Sequence, residues 1–191
     1  MSYSSCYDVF IHRGRKKNAR PAGSIFIGEI MEYEIVELNE KWVCGVADRT
    51  NNASPEMGAK IGALWQKLYG TMAQTMKGRV NGKAVGLYCD YGKSLEDDYT
   101  ILVGCEVESE NAAKTNTAAE GESTSGSAYR HIPAGRYAKF TLRGDVVKAV
   151  GETWREIWNT PLERTFTGDF EEYQEDCDGK TGTIFIYIAV K

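Results

Sequence analysis

The chain has 191 residues, 42% of them hydrophobic and 26% charged, with a formal net charge of −4, the composition of a soluble globular protein long enough for one domain with its own core. No apolar run approaches the ~20 residues of a membrane span, and no signal-peptide core of roughly 7–15 apolar residues follows the basic N-terminus, so a cytoplasmic protein is expected. Five cysteines without a CxxC spacing, and two distant histidines, His12 and His131, argue against a disulfide framework and a metal site; the cysteines read as reduced apolar residues and no cofactor is expected.

Residues 1–30 hold five of the lysines and arginines but only two of the acids. Their run "HRGRKKNAR" reads as a mobile basic extension, with Met31 opening the folded domain; contact with nucleic acid or an acidic partner is the alternative. The segment is too short for a recognised DNA-binding module. The remainder carries 18 basic against 25 acidic residues. Such an acidic body repels nucleic-acid phosphate, so direct nucleic-acid binding is not expected, and cationic partners are favoured.

"MEYEIVEL" and "KWVCGVA" are β-rich and read as a first strand or a bent pair. In "SPEMGAKIGALWQKLYG" Ser54 can cap, Pro55 suits the first helical position and Glu56 the positive dipole end. Met57, Ile61, Leu64, Trp65 and Leu68 recur at helical spacing, and Gly70 reads as the stop. Strands are expected at 83–92 and 98–109, joined by the polar turn "KSLED". Residues 110–128 are polar and of low complexity and read as a mobile linker between a first half, 31–109, and a second, 129–191.

The order then repeats: a strand at 135–144; a helix at 145–159 capped by Asp145, with Val146, Val150, Trp154, Ile157 and Trp158 as its apolar stripe; and two strands, "DFEEYQED" and "GTIFIYIAV", joined through the hairpin pair Asp178-Gly179. Strand, helix, strand, strand said twice implies a pseudo-two-fold axis with a site between the halves. In "DFEEYQED" alternation sends Glu171 and Glu172 to opposite faces and puts Tyr173 with Glu171. On the last strand Ile184, Ile186 and Ile188 suit the helix-packed side, leaving Phe185 and Tyr187 for the other.

"ALWQKLYG", "VGCEVE", "IPAGRYAKF", "WREIW", "DFEEY" and "IFIYIAV", in this order and spacing over residues 31–191, resemble the GyrI-like effector-binding family. That family includes the drug-binding domain of the multidrug regulator BmrR, C-terminal domains of AraC-type regulators and stand-alone gyrase-inhibitory proteins. The resemblance implies an α+β fold: an antiparallel sheet, helices on one face, and a pocket between the halves for hydrophobic cations or amphipathic aromatics. It also implies a buried pocket glutamate in the F-E-x-Y stretch, here Glu171, although Glu172 leaves the register open by one residue.

A buried unpaired carboxylate costs several kcal/mol of desolvation, which a delocalised cation would offset, and aromatic walls add cation–π attraction of about 0.5–2 kcal/mol per ring. Tyr173, Tyr88, Trp154, Trp158 and Tyr187 are the candidate walls and Glu106 a second candidate acid. Each has a plainer reading: Trp65, Trp154, Trp158 and Tyr88 as core, Glu106 as a solvated strand end. Three functions fit: a stand-alone binding module for such ligands, sequestering them or reporting them to a partner regulator; a hydrolase of cyclopropane-containing toxic natural products, as some family members are, with Glu171 and Tyr173, or Tyr88, activating water; and a gyrase-inhibitor-like interaction. The first is favoured, with no enzyme required. The sequence has no G-x-S-x-G and no phosphate-binding glycine loop.

Overall fold

A computed structural model describes residues 32–94, 97–118 and 127–191. The basic extension expected over 1–30 lies outside these residues. The elements run β1 (Glu34–Leu38), β2 (Lys41–Thr50), α1 (Met57–Lys67), a π-helical turn at Leu68–Met72 leading into the single turn α2 (Ala73–Thr75), then β3 (Ala84–Cys89), β4 (Tyr99–Val107) and α3 (Glu110–Ala118). The second half contributes β5 (Ser127–Ile132), β6 (Gly135–Asp145), α4 (Val146–Asn159), β7 (Asp169–Tyr173) and β8 (Thr181–Val190). This is the α+β architecture expected. No described helix is long and apolar enough to cross a membrane.

All eight strands form one antiparallel sheet in the order β1-β6-β8-β7-β3-β4-β2-β5. The repeat maps β1 to β5, β2 to β6, β3 to β7 and β4 to β8, and that order is symmetric under the exchange. The halves join at the central β3–β7 pair, where Gly86 lies opposite Glu171. Each half also lends its leading strand to the other: β1 pairs with β6, and β5 with β2.

Alternation along the strands separates two apolar layers. On one face α1 packs Ile61, Leu64 and Trp65 against Val46, Ile101 and Val103, while α4 packs Val150, Trp154 and Ile157 against Phe140, Ile184, Ile186 and Ile188. The other face gathers Val43, Leu87, Leu102, Tyr137, Phe170 and Tyr187 into a core of its own. Asp145 caps α4 as its sequence suggests, its side chain accepting from the backbone N–H of Val147 and Lys148. Gly179, at φ 85°, makes the turn before β8.

Three local expectations are corrected, and one strand joins the elements expected. The helix expected from Pro55 starts at Met57, because Ser54 closes a turn before it: its carbonyl accepts from Met57 N–H and its hydroxyl from Glu56 N–H. Gly70 does not stop the helix. The backbone continues as a π turn anchored by fully buried Leu68, and a glycine outside the left-handed region is no cap. Residues 110–118 are helix rather than linker, because Ala113 is fully buried against Cys44 and Val107 and gives the polar segment a docking face. Strand β5, "SAYRHI", has too little apolar alternation to be read locally and exists by pairing with β2.

Candidate functional site

Strand β7 consists of three acids and two aromatics, Asp169, Phe170, Glu171, Glu172 and Tyr173, and its neighbours fix what each does. Glu171 is 1% exposed. It projects to the helix-bearing face, where three neutral donors meet it: Tyr88 O–H (2.9 Å) and Trp154 Nε1–H (2.6 Å) donate to Oε1, and Tyr173 O–H (2.8 Å) to Oε2. No Lys, Arg or His forms an ion pair with it among the described residues. Burial raises the pKa of its carboxyl, and the hydrogen bonds from Trp154, Tyr173 and Tyr88 oppose that only in part.

Glu172 points the other way. Lys83 Nζ lies 2.8 Å from its Oε1 and Lys41 Nζ 3.5 Å from its Oε2, and Lys41 also pairs with Glu106 at 2.8 Å. Burial alone would raise its pKa, but the hydrogen bonds from Lys83 and Gln174 and the charges of both lysines outweigh it and hold the carboxyl below its ordinary range. The two adjacent glutamates thus differ in chemistry: Glu172 is a neutralised member of a structural network, and Glu171 is a buried acid with no countercharge.

Above Tyr88 and Trp154 opens a cavity of about 320 Å³, within the range of small-molecule sites. Tyr88, Trp154 and Trp158 form its walls with Tyr91, Tyr99 and Phe166, and Met57, Ile61 and Val150 from the two helices close it with aliphatic surface. Tyr88 and Trp154 meet edge to face with centroids 5.2 Å apart, and Trp154 and Trp158 lie at 6.4 Å. Glu171 and Tyr173 stand behind this wall and are not part of its lining. The carboxylate therefore addresses the cavity through the rings that donate to it. A Tyr O–H or Trp N–H hydrogen-bonded to a carboxylate is polarised towards the ring, and a more electron-rich face attracts cations more strongly.

Of the candidates read from sequence, Glu171, Tyr173, Tyr88, Trp154 and Trp158 come together here. Trp65, read as core, is buried in the α1 cluster and packs edge to face on Tyr173 at 4.7 Å. Glu106 and Tyr187 lie on the opposite face, Glu106 in the lysine network and Tyr187 stacked on Phe170 at 4.5 Å. Asp90, two residues beyond Tyr88, lies past the end of β3. The chain turns at φ 50° there, and Asp90 pairs with Arg130.

The sequence reading overlooked Tyr91, Tyr99, Arg164 and Phe166. All but Tyr99 lie outside strands and helices, where periodicity carries no signal; Tyr99 could have been found as the first inward residue of β4. The remaining acid of β7, Asp169, is fully buried, accepts from Tyr91 O–H and Ala189 N–H, and pairs with Arg164.

Residues 34–190 match the model of a family described as integron-associated effector binding protein, Cass2. The YobU protein of Bacillus subtilis (strain 168) is 33% identical over 167 residues, 82% of this chain and 96% of that protein. Among solved structures, the integron cassette protein VCH_CASS2 of Vibrio cholerae has a TM-score of 0.64 and 29% identity, covering 83% of this chain and 95% of its own. SAV2435 bound to tetraphenylphosphonium has a TM-score of 0.64 at 19% identity, covering 84% and 94%, a likeness of fold.

Proposed function

This chain belongs to the integron-associated effector-binding protein family, and on that premise we propose that its small-molecule-binding role is the capture of hydrophobic aromatic cations in the cavity above Glu171. The observation that carries the reading is a fully buried carboxylate held only by neutral donors, two of which are cavity walls. Desolvation makes that carboxylate costly on its own, and a delocalised cation against Tyr88 and Trp154 offsets the cost without needing to be dehydrated from a compact charge. The aromatic lining supplies affinity over a broad surface rather than through directional bonds, which suits structurally varied ligands. Tetraphenylphosphonium, the molecule bound to the fold neighbour SAV2435, is a fitting probe. For the hydrolase alternative, Glu171 and Tyr173 do not line the cavity, which leaves Tyr88 as the one of its named groups within reach of a substrate.

The test uses ions of matched shape and opposite charge. Tetraphenylphosphonium should raise the melting temperature in a concentration-dependent way, since a ligand that binds only the folded chain stabilises it by mass action. Tetraphenylborate should not. Equal stabilisation by both ions would show that the cavity selects shape alone and would overturn the role given to Glu171.

A further inference from the structure

Deepening the cation-binding reading, on which it rests, we infer that Arg164 gives the cavity a polar subsite for a hydrogen-bond-accepting oxygen, so that the preferred ligand is an aromatic cation bearing a carbonyl or carboxylate. Arg164 lines the cavity together with Tyr91 and Phe166. Its side chain is 12% exposed, and one terminal nitrogen donates to Asp169, itself fully buried. Asp169 is fixed in turn by Tyr91 O–H at 2.8 Å and by Ala189 N–H at 2.9 Å. The guanidinium therefore cannot swing to the surface without leaving a buried carboxylate unpaired.

What this arrangement leaves over points to a ligand. Arginine has five N–H donors in a fixed fork, and the pairing with Asp169 uses the end of one arm. Arg164 Nε has no acceptor among the described residues but is buried, so the donor left for a ligand in the cavity is the terminal nitrogen that does not bind Asp169. The guanidinium lies over the Phe166 ring at 4.5 Å, a second contact that holds it beside the cavity.

The backbone of this corner is unusual in the same direction. Phe166 sits at φ 56° and Asp90, beside Tyr91, at φ 50°; they are the two non-glycine residues with positive φ among those described, and both flank the Tyr91–Phe166 edge-to-face contact at 5.7 Å. A left-handed aromatic residue is uncommon and persists where the surrounding structure imposes it, often at binding sites. Since Asp169 already neutralises Arg164, the subsite donates hydrogen bonds without adding net repulsion against the cationic end of the ligand.

Three probes separate this inference from the reading beneath it: benzyltriphenylphosphonium, its 4-carboxybenzyl analogue and the methyl ester of that analogue, titrated calorimetrically against the whole chain. The two oxygen-bearing compounds should bind roughly tenfold more tightly than the benzyl compound, the yield of about one charge-assisted hydrogen bond. In Arg164→Lys, which keeps a cation for Asp169 but loses the fork, the ratio should fall towards one. The comparison is a ratio within each protein, so a general loss of affinity does not mimic it. Phe166→Ala, at an exposed ring, frees the guanidinium and should lower the same ratio, which keeps the assignment decidable if R164K fails to fold. Equal binding of all three probes by the wild type, or an undiminished ratio in the variants, overturns the subsite and leaves the cation reading standing. Failure of the benzyl compound itself to bind overturns both.

Discussion

Replacing Glu171 by Gln should weaken cation binding and strengthen the empty protein, and the two effects have one cause. The amide is nearly isosteric. Its oxygen can take over the hydrogen bonds from Tyr88 and Trp154, and its NH2 faces the Tyr173 hydroxyl, which can reverse and accept. What is lost is charge. For a cation stacked on one of the wall rings, taken as ~7 Å from the carboxylate, the attraction at an effective dielectric constant of ~20 is worth roughly 2 kcal/mol, or about 30-fold in Kd. Stability moves the other way. Burial raises the folded-state pKa of Glu171 above its unfolded value, so the native chain holds its proton more tightly, and stability falls as pH rises from the ordinary carboxylate range through the folded pKa. Glutamine never ionises and escapes that fall. E171Q should therefore show a higher Tm than wild type at neutral pH without ligand, converging with it below about pH 4, and a smaller Tm increase on adding tetraphenylphosphonium. Calorimetric titration gives the Kd and a melting series from pH 4 to 8 gives the stability. Unchanged affinity, or lower stability across the whole series, would refute the argument.

Other expectations follow from the surroundings. Glu172→Gln breaks the pairing with Lys83 and Lys41 and should cost roughly 1–3 kcal/mol in urea denaturation while leaving the tetraphenylphosphonium Kd unchanged; because this carboxyl is held below its ordinary range, its stabilisation is present above the unfolded pKa and fades as pH drops through the folded one, so the variant should lose part of wild type's acid sensitivity. Asp145→Ala removes a cap that satisfies two N–H groups of α4 and should cost about 1 kcal/mol, read as a lower urea midpoint at constant m-value. Gly45→Ala would place a methyl 2.0 Å from the Val103 carbonyl oxygen, a backbone clash in the middle of the sheet, and should fail to give a cooperative melting transition. Gly86→Ala meets Glu171 Oε2 at 3.3 Å and Trp65 at 3.5 Å; it should fold, with a thermal shift by tetraphenylphosphonium smaller than in wild type.

Much of this was legible in the chain because alternation and helical spacing are local. The stripe Val150–Trp154–Ile157 marks the inward side of α4, and the parity of Glu171 and Tyr173 places them together. Parity within one strand does not reveal which face of the sheet it shares with another, however. That depends on register, and register puts Glu106 opposite Val43 on the lysine-bearing side and Tyr187 opposite Phe170. Strand β5 and helix α3 have little periodic signal of their own because their stability comes from partners distant in sequence, β2 for one and the Cys44–Val107 surface for the other. Tyr91 and Phe166 lie in connections where only the folded backbone brings them to the cavity.

The duplicated scaffold explains why one glutamate suffices. Trp65 is the ninth residue of α1 and Trp154 the ninth of α4; Tyr88 and Tyr173 each hold the fifth place of β3 and β7. Each tryptophan packs edge to face on the tyrosine of the other half, Trp154 on Tyr88 at 5.2 Å and Trp65 on Tyr173 at 4.7 Å, both at 69°. Two equivalent Trp–Tyr pairs therefore bracket the pseudo-axis, and the third place of the central strands decides what lies between them. In β7 it is Glu171; in β3 it is Gly86, directly opposite in register. A second carboxylate there would put two like charges into one apolar gap, and at least one would be forced to protonate. Even a methyl on Gly86 would press on Glu171 Oε2. A symmetric framework thus carries a single off-axis charge because the opposing strand yields the space. Tyr88 and Trp154 open on the cavity, while Trp65 stacks on Tyr69 on the other side. The same pair of rings lines a cavity in one half and is packed core in the other, so the asymmetry lies in what covers the rings, not in the rings themselves.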